Sequence, residues 1–196
     1  MPSRSKNKGN KFENDMCKIF NRLYETEEFA RTPNSGAIMG RTNWGRKQGL
    51  AEDVKRTLGS DIIVPDWFKF AVECKHYKDS PSYDKIVKAP GDKTLDGWLG
   101  EALYDAINLN LHPMLVFKTN NKGTHIVLPE YFMWAFQPDT VDFFVRYKKV
   151  FVIIGLDEFE ANARQIATAG ELYIVDERYQ TFIESETVKT LLEDIK

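Results

Sequence analysis

The sequence predicts an α/β protein on three observations. Residues 59–75 contain a short apolar run, a turn signal and then a two-residue alternation of side-chain type, the pattern of two strands joined by a turn. Residues 11–25 and 98–111 carry apolar side chains at helical spacing. A further pair of strand-like runs, Met114 to Lys118 and Thr124 to Leu128, flanks the turn signal Asn120-Asn121-Lys122-Gly123. With 196 residues and 42% hydrophobic content, the chain can bury one good core.

In the first helix, Lys11 to Glu25, the stripe Phe12, Met16, Ile19, Phe20 and Leu23 faces the core. Glu13 lies about 70° from the centre of that stripe, on its flank, where a carboxylate can reach a site on the adjoining sheet. Arg31 is expected at the end of a short strand, and Asn34, Ser35 and Gly36 give a turn whose amides and hydroxyl suit a phosphate. The following stretch places Arg41, Arg46 and Lys47 around Trp44, which suits either backbone contact with stacking or the packing of a loop.

Between Phe68 and Lys75, Phe68, Phe70, Val72 and Cys74 share one strand face, leaving Glu73 and Lys75 together on the other. Asp61 opens the preceding strand. A turn of about four residues would pair it near Val72, with its carboxylate in reach of Glu73. Two carboxylates and an amine suit a divalent cation held against a phosphodiester: magnesium takes hard oxygen ligands, and an ammonium orients water or offsets developing charge. Asp66 follows Pro65 directly, but at the turn tip it stands about 20 Å along the strand from Glu73, so Asp61 is preferred.

Residues 78–97 read as a long polar connection broken by Pro81, Pro90, Gly91 and Gly97, before a crossover helix over 98–111. Beyond the second strand pair the pattern gives a short aromatic-rich helix at 129–136 and a strand at 150–154. A helix at 158–167, a strand at 172–175 and a terminal helix at 186–195 follow. The division expected is a core over 1–136 with a basic N-terminal segment, and an acidic C-terminal α/β extension over 137–196, serving as sheet extension or dimer contact.

Charge is asymmetric: residues 1–60 carry a net +5 and the remainder a net −7, giving −2 in all. An electropositive face built by the N-terminal third fits a nucleic-acid partner. No stretch of eighteen apolar residues and no secretory pattern occurs, so a cytoplasmic protein is expected. Cys17 and Cys74, the two cysteines, are too few for a zinc site or a disulfide framework, and His76, His112 and His125 are scattered.

Asp61, eleven residues, then Glu73-Cys74-Lys75 resembles the D-x(n)-E-x-K core of the PD-(D/E)XK nuclease superfamily. Lys8-Gly9-Asn10-Lys11-Phe12-Glu13, followed by Arg31-Thr-Pro-Asn-Ser35-Gly36-Ala37, is similar to the opening of the archaeal-type Holliday-junction resolvases. The resemblance implies a restriction-endonuclease-like core, a mixed central sheet flanked by helices. It implies a Mg²⁺-dependent endonuclease, with Mn²⁺ able to substitute, acting on branched DNA such as a four-way junction and working as a homodimer. Carried over residue by residue, it makes Asp61 and Glu73 metal ligands, with Glu13 assisting and Cys74 adding its backbone carbonyl. Lys75 becomes the water-activating group and Ser35 a neighbour of the scissile phosphate. Lys8, Lys11, Arg31, Ser35, Arg41, Trp44, Arg46 and Lys47 are the expected DNA contacts. The same core also serves restriction, repair and flap-type nucleases, and non-cleaving DNA-binding proteins.

Overall fold

The structure is a computed structural model that describes residues 4–33, 54, 58–79, 81–120 and 122–195, with side chains from residue 7 onward. Helix α1 (Arg4–Tyr24) buries Phe12, Met16 and Phe20, as the stripe requires. It starts well before Lys11. Its polar first turns are tied down by tertiary contacts, since Lys8 Nζ donates to the Tyr77 carbonyl at 3.4 Å and to the Asn120 side chain.

Strand β1 (Ala30–Arg31) pairs antiparallel with β2 (Ile62–Ile63). This corrects the expected hairpin. β2 takes its ladder from β1, and it meets β3 (Phe70–Tyr77) through the Asp61 N–H, which donates to the Val72 carbonyl at 3.1 Å. The reason lies between them: Pro65 has no N–H to offer, the Phe68 N–H turns back to the Pro65 carbonyl, and the Phe68 ring is drawn into Phe20, Tyr24 and Phe29 at 5.1–5.8 Å.

The main sheet has five strands in the order β3-β4-β5-β7-β6, where β4 is His112–Thr119, β5 Thr124–Pro129, β6 Phe144–Tyr147 and β7 Phe151–Gly155. β3 and β4 run parallel, from Phe70 beside His112 to Tyr77 beside Thr119, and the other pairs are antiparallel. Parallel neighbours need a crossover, and α3 (Lys93–Leu109) supplies it. The stretch expected as an unstructured connection holds α2 (Tyr83–Val87) and the first turn of α3. Asp92 caps α3, its carboxylate accepting the N–H groups of Thr94 and Leu95 at 2.9 and 3.2 Å. Gly97 lies inside the helix without ending it, while Asn110 is the left-handed residue that stops it (φ 52°).

Past residue 137 the chain extends the same sheet. β7 pairs with β5, the unanticipated strand β6 forms the far edge, and α4 (Leu156–Tyr173) packs beside α1. The strand expected at 172–175 is instead the end of α4 and a turn. The helical spacing of Phe159, Ala163, Ile166 and Gly170 carries on past 167, while Leu172 and Val175 stay exposed. α5 (Glu177–Glu184), also unanticipated, and α6 (Glu186–Glu193) complete the opposite layer with α3. Phe70, Val72, Cys74, Met114 and Val116 bury one sheet face against α1 and α4; Leu115, Phe117, Val127 and Ile153 bury the other against α3 and α6. The result is a mixed α/β sheet with helices on both faces, the restriction-endonuclease-like arrangement.

Candidate active site at the edge of the sheet

β3 is an outer strand of the main sheet, so side chains from both faces and from the neighbouring loop can meet at its rim. Asp61 is fixed three times through local geometry. Its N–H is held by Val72, its carbonyl accepts the Thr32 N–H at 3.0 Å, and its Oδ2 accepts the Cys74 N–H at 2.9 Å. The expected pairing of Asp61 near Val72 is therefore observed, and the carboxylate sits on the backbone of the Glu73-Cys74-Lys75 segment.

Glu73 is buried, and its Oε1 lies 2.6 Å from Lys75 Nζ. Lys75 is shared, because Glu101 Oε2 of α3 stands at 2.6 Å as well. Glu13 approaches from α1 and is paired with Arg31 at 3.2 Å, on β1. Burial raises the Glu13 carboxyl above its usual range, and the Asp61 charge adds to that against the pull of Arg31. Glu73 is raised well above the usual range, first by burial, then by Asp61, with Lys75 opposing and Asp105 of α3 contributing. For Lys75 burial works against the charge, but Glu73 and Glu101 outweigh it and keep the ammonium firmly protonated.

Thus Glu13, Asp61, Glu73 and Lys75 come together within one electrostatic neighbourhood. Cys74 belongs to the segment by its backbone; its thiol is buried in the core and its pKa is driven up chiefly by that burial. Lys8 lies at the end of β3, on the Tyr77 carbonyl. Lys11 and Arg31 line one groove along α1 with Asn10, Asn14, Asp15 and Lys18. Ser35, Arg41, Trp44, Arg46 and Lys47 lie outside the described residues.

Glu101 and Asp105 were not identified from the sequence. They stand four residues apart on the flank of α3, one turn past Trp98, and that i, i+4 pair of acids beside an apolar stripe is the signal that could have found them. In space, α3 keeps step with β3. Trp98 packs on Tyr77 with ring centroids 4.9 Å apart, Glu101 meets Lys75, and Asp105 acts on Glu73.

Desolvated carboxylates whose pKa the neighbouring Asp61 charge raises further are relieved by a hard cation, and their oxygens are the ligands magnesium prefers. Among the described residues no three acidic, histidine or cysteine groups form a ready-made cage. The reason is visible in their partners: Cys74 N–H, Lys75 and Arg31 each occupy a carboxylate oxygen. The residues fit a cation of which they supply one or two ligands and water or phosphate the rest.

A mixed sheet layered by helices, with an anchored aspartate, a Glu-x-Lys strand and a helix-borne glutamate at its rim, defines a nuclease of the PD-(D/E)XK type. The family model described as "Phage putative PDDEXK endonuclease" matches residues 4–169. The chain belongs to that family. No curated protein and no solved structure matches it.

Proposed function

We propose that this endonuclease is a magnesium-dependent deoxyribonuclease that cuts branched DNA, with the four-way junction as its preferred substrate. The observation that carries the catalytic part is the anchoring of Asp61 on the backbone of the motif strand beside the Lys75–Glu73 pair. Asp61 and Glu73 would hold the metal, with the Cys74 carbonyl as a further oxygen and Glu13 supporting from α1. When bound, the metal lowers the pKa of a water and offsets charge on the phosphate. Lys75 orients the attacking water and meets the negative charge that develops on the phosphoryl oxygens. Glu101 holds the ammonium in place, and Arg31 keeps Glu13 turned toward the strand.

The preference for a junction rests on the likeness of residues 8–13 and 31–37 to the resolvases and on the groove of lysine, arginine and asparagine side chains along α1. Cutting a four-way junction symmetrically takes two active sites, so the functional unit would be a homodimer.

The test is cleavage of a synthetic four-way junction beside matched linear duplex, flap and single-stranded DNA in Mg²⁺, with wild type, Glu73→Ala and Lys75→Ala. Paired symmetric nicks in the junction, abolished by both substitutions, are expected. Cleavage of flap or duplex in preference to the junction would leave the nuclease and remove the resolvase; tight DNA binding without any cleavage would remove both.

A further inference from the structure

Glu73, Lys75 and Tyr77 alternate with the core residues of β3 and share its face toward α3. Tyr77 stands two residues past Lys75, about 7 Å along the strand. It is 48% exposed, and it rests on Trp98 with the ring planes 31° from parallel. Trp98 is buried in turn against Phe117 at 5.9 Å. The phenol ring is therefore braced from within by a ring fixed in the core, and part of it remains open. Its backbone is fastened too, because its carbonyl accepts from Lys8 Nζ.

A braced, half-exposed aromatic beside a basic side chain has the attributes of a nucleobase platform. Every base offers a π face, a supported tyrosine loses little freedom on contact, and the amine favours the phosphate backbone nearby. We propose that Tyr77, braced by Trp98, stacks on the nucleobase next to the cleaved phosphate and so selects DNA in which that base has left its own stack. This rests on the reading in which Glu73 and Lys75 address the phosphate. Within a continuous duplex both faces of a base are covered by its neighbours. A flap, an unstacked single strand or a junction crossover opened out of its coaxial stacks leaves one free.

The experiment maps the cut site on a flap and a four-way junction. It then measures KM and single-turnover rates for wild type, Tyr77→Phe, Tyr77→Leu and Tyr77→Ala. Each is assayed on the intact substrate and on versions with one abasic nucleotide walked across three positions either side of the cut. Tyr77→Phe should match wild type. Tyr77→Ala and Tyr77→Leu should both raise KM by about 5- to 150-fold, the range one base–aromatic stack carries, although leucine still covers Trp98. One abasic position should impose the same loss on wild type, and there Tyr77→Ala should have no further effect. An unaltered KM in Tyr77→Ala, or a loss that persists at every abasic position, overturns the proposal while leaving the nuclease intact. Absence of cleavage by wild type, or cleavage indifferent to Glu73→Ala, removes the underlying reading and the proposal with it.

Discussion

Glu101 grips Lys75 at 2.6 Å from a different element of the fold, so the ammonium is positioned by helix α3 as much as by its neighbour Glu73 on the strand. Glu101→Gln should lower the single-turnover cleavage rate about 10- to 100-fold, as loss of a supporting partner at a metal site typically does. Because Glu101 is 41% exposed, its stability contribution should stay under about 1 kcal/mol. Rapid-quench kinetics and thermal melts of the same preparation check both halves.

On the proposed reading, Mg²⁺ or Ca²⁺ should raise the melting temperature of the wild type, because the cation would bind the folded arrangement of Asp61 and Glu73 and not the unfolded chain. Asp61→Asn should lose that rise while keeping its fold. A rise of the same size in the variant would place the cation elsewhere.

His112 sets a pH dependence of known sign. Its ring is buried, donates from Nε2 to the Gly170 carbonyl at 3.0 Å, and therefore accepts at Nδ1 from the Tyr131 hydroxyl at 2.7 Å. Burial pushes its pKa down to about 4, so between pH 6.5 and 4 the unfolded chain binds the extra proton. Stability should fall as pH drops through that window, by on the order of 3 kcal/mol from this residue. Glu13 and Glu73, with raised pKa, work in the opposite direction, their burden easing as pH falls. Urea titrations at pH 7 and 4.5 should therefore show a smaller loss of stability on acidification, or a gain, in His112→Gln, even if that variant is less stable throughout.

Gly100→Ala should destabilise, although alanine is ordinarily the better helix residue by about 1 kcal/mol. A Cβ at Gly100 would stand 2.8 Å from the Leu191 carbonyl oxygen and 2.5 Å from Ile195. α6 must move to accept it. A net loss of roughly 1–3 kcal/mol is expected in chemical denaturation.

How far the sequence discloses this molecule differs by element. Side-chain alternation placed Glu73 and Lys75 together, and turn length placed Asp61 opposite Val72, because strand periodicity is local. α3 begins five residues before the expected start, because Asp92 caps it and Gly97 is carried inside the helix, where the local pattern of Pro90, Gly91 and Gly97 reads as a break. The strand assigned to 172–175 followed apolar composition where helix packing decided. Glu101, Asp105 and Trp98 escaped notice because their roles come from how a helix lies along a strand, and no local period encodes that.

That alignment constrains how the chain can vary. From Trp98 to Asp105 the helix advances about 10 Å, nearly the 13 Å from Tyr77 to Glu73, and the three contacts lie within an arc of about 60°. A single residue inserted between them would swing Asp105 by about 100° and break the match at one end. The same insertion among residues 88–90, the exposed turn between α2 and α3, would only lengthen a surface connection. Descendants of this sequence can differ freely in the length of that connection, but the eight-residue spacer from Trp98 to Asp105 has to be inherited whole.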